Sequence, residues 1–137
     1  MKKVILYVWQ LPQNILGLLV ILVTRAKLVP EHDVWYSMKY LFGVSLGSYI
    51  IFGSRWSEVS VKHEIGHQKQ SQKLGWLYLL VIGLPSLAGN TIDRTLHKKW
   101  SSMRKTNWYY NLPWEKQADK LGGVCRAYGQ DGRYVRY

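Results

Sequence analysis

The sequence predicts a small α+β domain, and three observations carry that expectation. The chain has 137 residues, enough for one modest core and not for two. Residues 34–53 are aromatic and β-branched, with glycines at 43, 47 and 53, which is the composition of short strands. Residues 57–75 and 111–123 instead carry helix start and stop signals. The expected layout is a short antiparallel sheet, a helix holding His63-Glu64-x-x-His67, and a downstream helix holding Glu115.

The N-terminal segment opens with Lys2 and Lys3 before an apolar stretch. Gln10, Pro12, Gln13 and Asn14 divide that stretch into residues 4–9 and 15–23. Each half is shorter than the ~20 residues that span a bilayer. No cleavage signature follows, and basic residues at both ends leave orientation undetermined. Residues 1–28 therefore read as an interfacial membrane anchor. The alternative is a buried helix kinked at Pro12.

Two strands are expected next, over residues 34–42 and 44–52. Ser57 is a plausible N-cap with Glu58 in the first turn, and a helix should run to Leu74 and stop at Gly75. The apolar run 76–89 contains Gly83 and Pro85, and reads as a core helix or a re-entrant piece. A less regular stretch leads to Tyr110. Asn111, Pro113 and Gly122-Gly123 then bracket a short helix over 113–121. From Arg126 the chain is polar, basic and glycine-containing, and a loose tail is expected over 126–137. The folded domain would be residues 29–125.

Composition narrows the function classes. Hydrophobic residues make up 47% and aromatics 14%, too many for a disordered chain. The net charge of +11 suits an anionic membrane face, nucleic acid or a solvated surface. The tightest basic group, residues 97–105, includes Trp100 but comes with no nucleic-acid fold signature, so nucleic acid is the least favoured partner. Cys125 stands alone, which excludes an intrachain disulfide and a four-cysteine zinc ribbon. It reads as an idle small thiol.

Positions four apart on a helix share a face. His63 and His67 can thus aim ring nitrogens at one Zn²⁺, with Glu64 beside that face and within reach of a metal-bound water. This is the H-E-x-x-H arrangement. The longer pattern with a further Gly and His is excluded, because those positions hold Gln70 and Lys73. Asp93, His97, Glu115 and Asp119 remain as candidates for a third ligand. Glu115 and Asp119 stand out, since they share a face of the expected helix and Ala118 between them would let it pack closely. Glu115 would bind metal, while Asp119 would accept the other ring N–H of a ligand histidine.

His63-Glu64-x-x-His67 followed by Glu115-x-x-Ala118-Asp119 resembles the gluzincin metallopeptidases. The second motif is especially like that of the HtpX-type membrane peptidases and the minigluzincins. "HEIGHQKQSQKLGWLYLLVIGLPS" and "YYNLPWEKQADKLGGV" are also similar to a group of small bacterial proteins. The resemblance covers about residues 44–124 and implies a zincin-like domain. Zinc would be held by His63, His67 and Glu115, with Glu64 as general base and the strand before the metal helix as the edge that a peptide substrate joins. A zinc-activated water would attack the peptide carbonyl. Tyr110, Tyr109 or His97 would steady the oxyanion. Two other readings stand beside the peptidase: a zinc-stapled, non-hydrolytic scaffold, and a basic protein binding a membrane surface or nucleic acid.

Overall fold

The computed structural model describes residues 2–37, 43–53, 57–128 and 134–135. The chain is α+β, as expected. Helices α1 (Lys2–Trp9) and α2 (Leu11–Thr24) meet at an 83° bend. Strands β1 (Lys27–Val29), β2 (Val34–Tyr36), β3 (Val44–Leu46) and β4 (Tyr49–Phe52) follow, then α3 (Glu58–Leu74). Next come a 3-10 turn (Gly75–Leu77), a π turn (Leu79–Gly83), and helices α4 (Leu84–Thr95), α5 (Ser102–Tyr110) and α6 (Pro113–Gly122). Strands β5 (Ala127–Tyr128) and β6 (Tyr134–Val135) pair as a separate antiparallel ribbon.

The main sheet has the order β1-β2-β4-β3 and is mixed, not purely antiparallel. The expected single strand over 44–52 is instead a hairpin. It turns at Gly47, whose φ of 64° lies in the left-handed region that glycine tolerates. That reversal sends β4 back beside β2 in parallel, with Trp35 opposite Ile51. β4 becomes the central strand, and Ile50, Ile51 and Phe52 are all buried. Val34, Ile50 and Phe52 form the core cluster, and Val61 and Ile65 of α3 pack on it. Of the other expected strand, residues 38–42 lie outside the described residues.

Ser57 caps α3 as expected, its hydroxyl accepting from the Ser60 N–H at 3.2 Å. Gly75 ends the helix. The run 76–89 continues helically after a 120° bend. The stretch expected to be irregular contains α5, capped by the Ser101 hydroxyl, which accepts from the Arg104 N–H. The ribbon β5–β6 occupies part of the tail that was expected to be loose, and the rest of that tail lies outside the described residues.

The polar residues that interrupt the N-terminal stretch face inward. Gln10, Gln13 and Asn14 are buried. The Gln13 amide donates to Ser71 Oγ at 3.2 Å, and Ser71 Oγ donates to Gln10 Oε1 at 2.8 Å. Asn14 Oδ1 accepts from the Ser48 N–H at 2.7 Å, while its amide donates to the Tyr7 carbonyl at 2.9 Å. A Cβ at Gly47 would stand 2.2 Å from Asn14 Oδ1, so the hairpin turn and this contact require the same glycine. α2 therefore docks on α3 and β3 through a polar seam.

Helices α3 and α6 cross with almost no side chain between them. A Cβ at Gly66 would lie 1.9 Å from the Ala118 carbonyl, and one at Gly122 would lie 1.9 Å from the Lys62 carbonyl. Ala118 is fully buried. This crossing lays the first turn of α6 over the middle of α3.

Candidate metal centre

The crossing brings three donor atoms to one point. His63 Nε2, His67 Nε2 and Glu115 Oε2 are each 3.1 Å from the other two. All three residues are buried. Donors bound at ~2.0–2.1 Å around a four-coordinate ion stand ~3.3 Å apart, so this triangle is the right size. These residues can hold a metal ion.

Hydrogen bonding fixes the direction of the donor lone pairs. His63 Nδ1 lies 2.7 Å from Asp119 Oδ1, a carboxylate that accepts, so Nδ1 carries the proton and Nε2 offers its lone pair. His67 is oriented by Gln70. The Gln70 amide nitrogen donates to the Trp114 carbonyl and to Gln117 Oε1, both at 2.9 Å. Its carbonyl oxygen is thereby left facing His67 Nδ1 at 2.8 Å. The second Glu115 oxygen accepts from Ser86 Oγ at 2.6 Å. Three lone pairs so aligned repel one another unless a cation, a proton or a metal, sits among them.

The electrostatics agree. Burial opposes charge on His63, but the Asp119 and Glu115 carboxylates outweigh it and push the pKa up to about 9. His67 is also buried, which opposes its charge, yet Glu115 raises its pKa as well. Glu115 is held below the usual carboxylate range: burial works against this, and the two imidazoles win. Asp119 is lowered too, against burial, by His63 and Arg126.

A pH dependence follows for the metal-free protein. The folded pKa of His63, about 9, exceeds its ordinary 6.5. Its contribution to stability is complete below 6.5 and is lost as pH rises through about 9. Metal uptake should run the other way, strengthening up to about pH 9 as protons stop competing. Urea midpoints at pH 6 and pH 9, with chelator and with added metal, should show opposite trends.

Glu64, on the same helix, is buried, and burial raises its pKa. It faces the start of β3, where a Cβ on Gly43 would stand 2.9 Å from Glu64 Oε1. Glu64, His63 and His67 line one cavity of about 980 Å³, together with Tyr78, Tyr109 and Tyr110. Burial lifts the Tyr110 hydroxyl to about 12 and pushes Tyr109 higher still, so both stay protonated at neutral pH. The nearby Glu115 carboxylate adds to the rise at Tyr109. The Tyr110 ring meets His63 edge-on at 5.2 Å.

His97 is not part of this cavity. Its Nδ1 is 3.3 Å from Asp93 Oδ1, and its ring stacks on Trp100 at 3.6 Å. Asp93 and His97 thus satisfy each other at the end of α4, which removes both from the ligand candidates and His97 from the oxyanion donors.

Three residues escaped the sequence reading. Gln70 and Ser86 hydrogen-bond to His67 and Glu115, and Arg126 falls in the expected tail. The Arg126 guanidinium grips both Asp119 oxygens, with Nη2 2.9 Å from Oδ1, and lies over the Tyr110 ring at 3.4 Å. Gln70 had one legible signal, since it follows His67 by three positions on the same helix and so shares its face.

Comparison of the chain with protein-family models, curated proteins and solved structures returned no match.

Proposed function

We propose that the protein is a zinc-dependent peptidase. The supporting observation is the convergence of His63, His67 and the buried Glu115 on one point, with His63 and His67 lining a cavity that also holds Glu64. Two imidazoles and one carboxylate suit zinc, and three protein donors leave a position for a reactant. Zinc held there would supply Lewis acidity, polarising a carbonyl and acidifying water.

The chain's own residues would do the rest. Glu64 takes a proton from the attacking water and returns it to the departing amine nitrogen. Burial, by raising its pKa, fits it to carry that proton. Tyr110, which lines the cavity with its ring against His63 and keeps its hydroxyl protonated, donates a hydrogen bond to the developing oxyanion. Ser86, Gln70 and Asp119 keep the donors aimed. The edge strand β3 borders the cavity through Gly43, Val44, Ser45 and Leu46, and offers an extended peptide a backbone to pair with.

Glu64→Gln should keep the metal and lose hydrolysis. Glutamine preserves size but cannot take up a proton at neutral pH, and such help is worth about 10²–10⁴-fold. The measurement is cleavage of a peptide library by both proteins after matched zinc loading. Equal rates would sink the mechanism. Full zinc loading of both with no cleavage by either would favour the scaffold.

A further inference from the structure

We infer that the apolar face built by α1, α2 and residues 76–87 docks on an anionic lipid bilayer, with the metal cavity opening at that face.

The first observation is that α2 is inside out. Its buried residues are Gln13, Asn14, Gly17 and Ile21, while Ile15, Leu19, Leu22 and Val23 are exposed. A helix packed for water does the reverse. The segment after α3 repeats the pattern. Leu80, Leu84 and Leu87 lie on one helical face and are 63%, 56% and 65% exposed.

The two segments adjoin. Trp9 Nε1 donates to the Gln72 carbonyl, and Trp76 Nε1 donates to the Val8 carbonyl, both at 3.1 Å. They thus form one surface, which is larger in kind than the scattered apolar residues of ordinary protein exteriors. Its two tryptophans, about half exposed, suit the headgroup layer.

Charge selects the occupant. Residues 2–30 and 65–92 contain no Asp or Glu. Lys2, Lys3, Arg25, Lys27 and Lys73 are exposed in or beside these segments. A second copy on a two-fold axis would bring these cations against themselves. Anionic headgroups complement them, at about 1 kcal/mol per basic residue near the surface.

The depth is limited. Among the described residues no single helix is long and apolar enough to cross a membrane, and the two apolar helix pairs are bent by 83° and 120°. Bends of this size suit helices that lie in the interface plane.

The cavity links this face to the site. Leu16, Leu80, Leu84 and Leu87 line it along with His63 and Glu64. If the peptidase reading holds, as this last step requires, the substrate is an apolar peptide segment already lying at the bilayer surface.

The test uses the full chain with Cys125→Ser, an exposed thiol, and a fluorophore on either Leu84→Cys or Glu58→Cys. Glu58 begins α3, ~25 Å along the helix from the Trp9 end. Vesicles of phosphatidylglycerol with phosphatidylcholine, some brominated, are added to metal-free and zinc-loaded protein. We expect at least tenfold tighter binding than to phosphatidylcholine alone, weakened by salt. Brominated lipid should quench the Leu84 probe and spare the Glu58 probe. Folded protein that ignores both vesicle types overturns the proposal. So does quenching that is equal at the two sites, or a Leu84 probe shielded by self-association before lipid is added. Undiminished binding by the triple variant Leu80→Gln, Leu84→Gln, Leu87→Gln also overturns it. Zinc uptake is read separately: docking without zinc sinks the peptidase and spares the surface, while zinc without docking does the opposite.

Discussion

Glu115→Gln should lower zinc affinity by about 10²–10³-fold, the largest loss expected from any single ligand-set substitution that keeps side-chain size. A zinc site worth 10–16 kcal/mol overall assigns roughly 3–4 kcal/mol to each donor. Glu115 also carries the only negative charge in the donor triangle, and its other oxygen is held by Ser86 at 2.6 Å. The amide keeps the shape but must present an NH₂ either to the histidine lone pairs or to the Ser86 hydroxyl. Glu115→Ala would add the cost of leaving buried polar partners unpaired, on the order of 3–5 kcal/mol. The glutamine variant therefore separates metal loss from unfolding. Competition titration with a chelating dye gives the affinity, and far-UV circular dichroism checks the fold. Asp119→Asn should be milder, about 10–100-fold, because it orients His63 without touching the ion. Asp93→Ala should change nothing. Full zinc affinity in Glu115→Gln would mean that the third ligand lies elsewhere.

The site was more legible in the sequence than the fold around it. His63, Glu64 and His67 sit on one helix, so their relation follows from the 3.6-residue period alone. The same period pairs Glu115 with Asp119. Ala118 hinted that the two helices would touch, and the crossing does run over it. Ser86 and Arg126 act only through tertiary contacts, and nothing in their local sequence sets them apart from surface polar residues, while Gln70 shares a face with His67 but is held by Trp114 and Gln117 of α6. The hairpin within 44–52 had a local signal in Gly47-Ser48 between two short segments, but the parallel pairing of β4 with β2 is set only by tertiary contact. Gln10, Gln13 and Asn14 read as a flaw in an apolar segment. Their partners, Ser71 and Ser48, lie far away in the chain, and only those partners turn the flaw into a docking seam.

Gly66→Ala tests the crossing on which the metal centre depends, and its sign is diagnostic. Helix propensity alone predicts a gain of about 1 kcal/mol for alanine over glycine inside α3. The packing predicts a loss. The new Cβ would fall 1.9 Å from the Ala118 carbonyl, a backbone atom that cannot rotate away. Reaching an ordinary 3.4 Å contact needs about 1.5 Å of separation between α3 and α6. Overpacking of this kind typically costs 1–3 kcal/mol, and here it also opens the polar contacts of Gln70 with Trp114 and Gln117. A net loss of about 2 kcal/mol or more is expected, read as a lower urea midpoint at unchanged slope. The same displacement draws Glu115 away from the two histidines, so zinc affinity should fall with stability. Gly83→Ala is the control. Its Cβ would meet nothing closer than Leu79 Cδ2 at 3.4 Å, so it should be neutral or mildly stabilising and leave zinc affinity alone. If Gly66→Ala instead gains stability and binds zinc like the parent, the helices do not approach this closely. The triangle of His63, His67 and Glu115 would then lack the frame that sets its 3.1 Å sides.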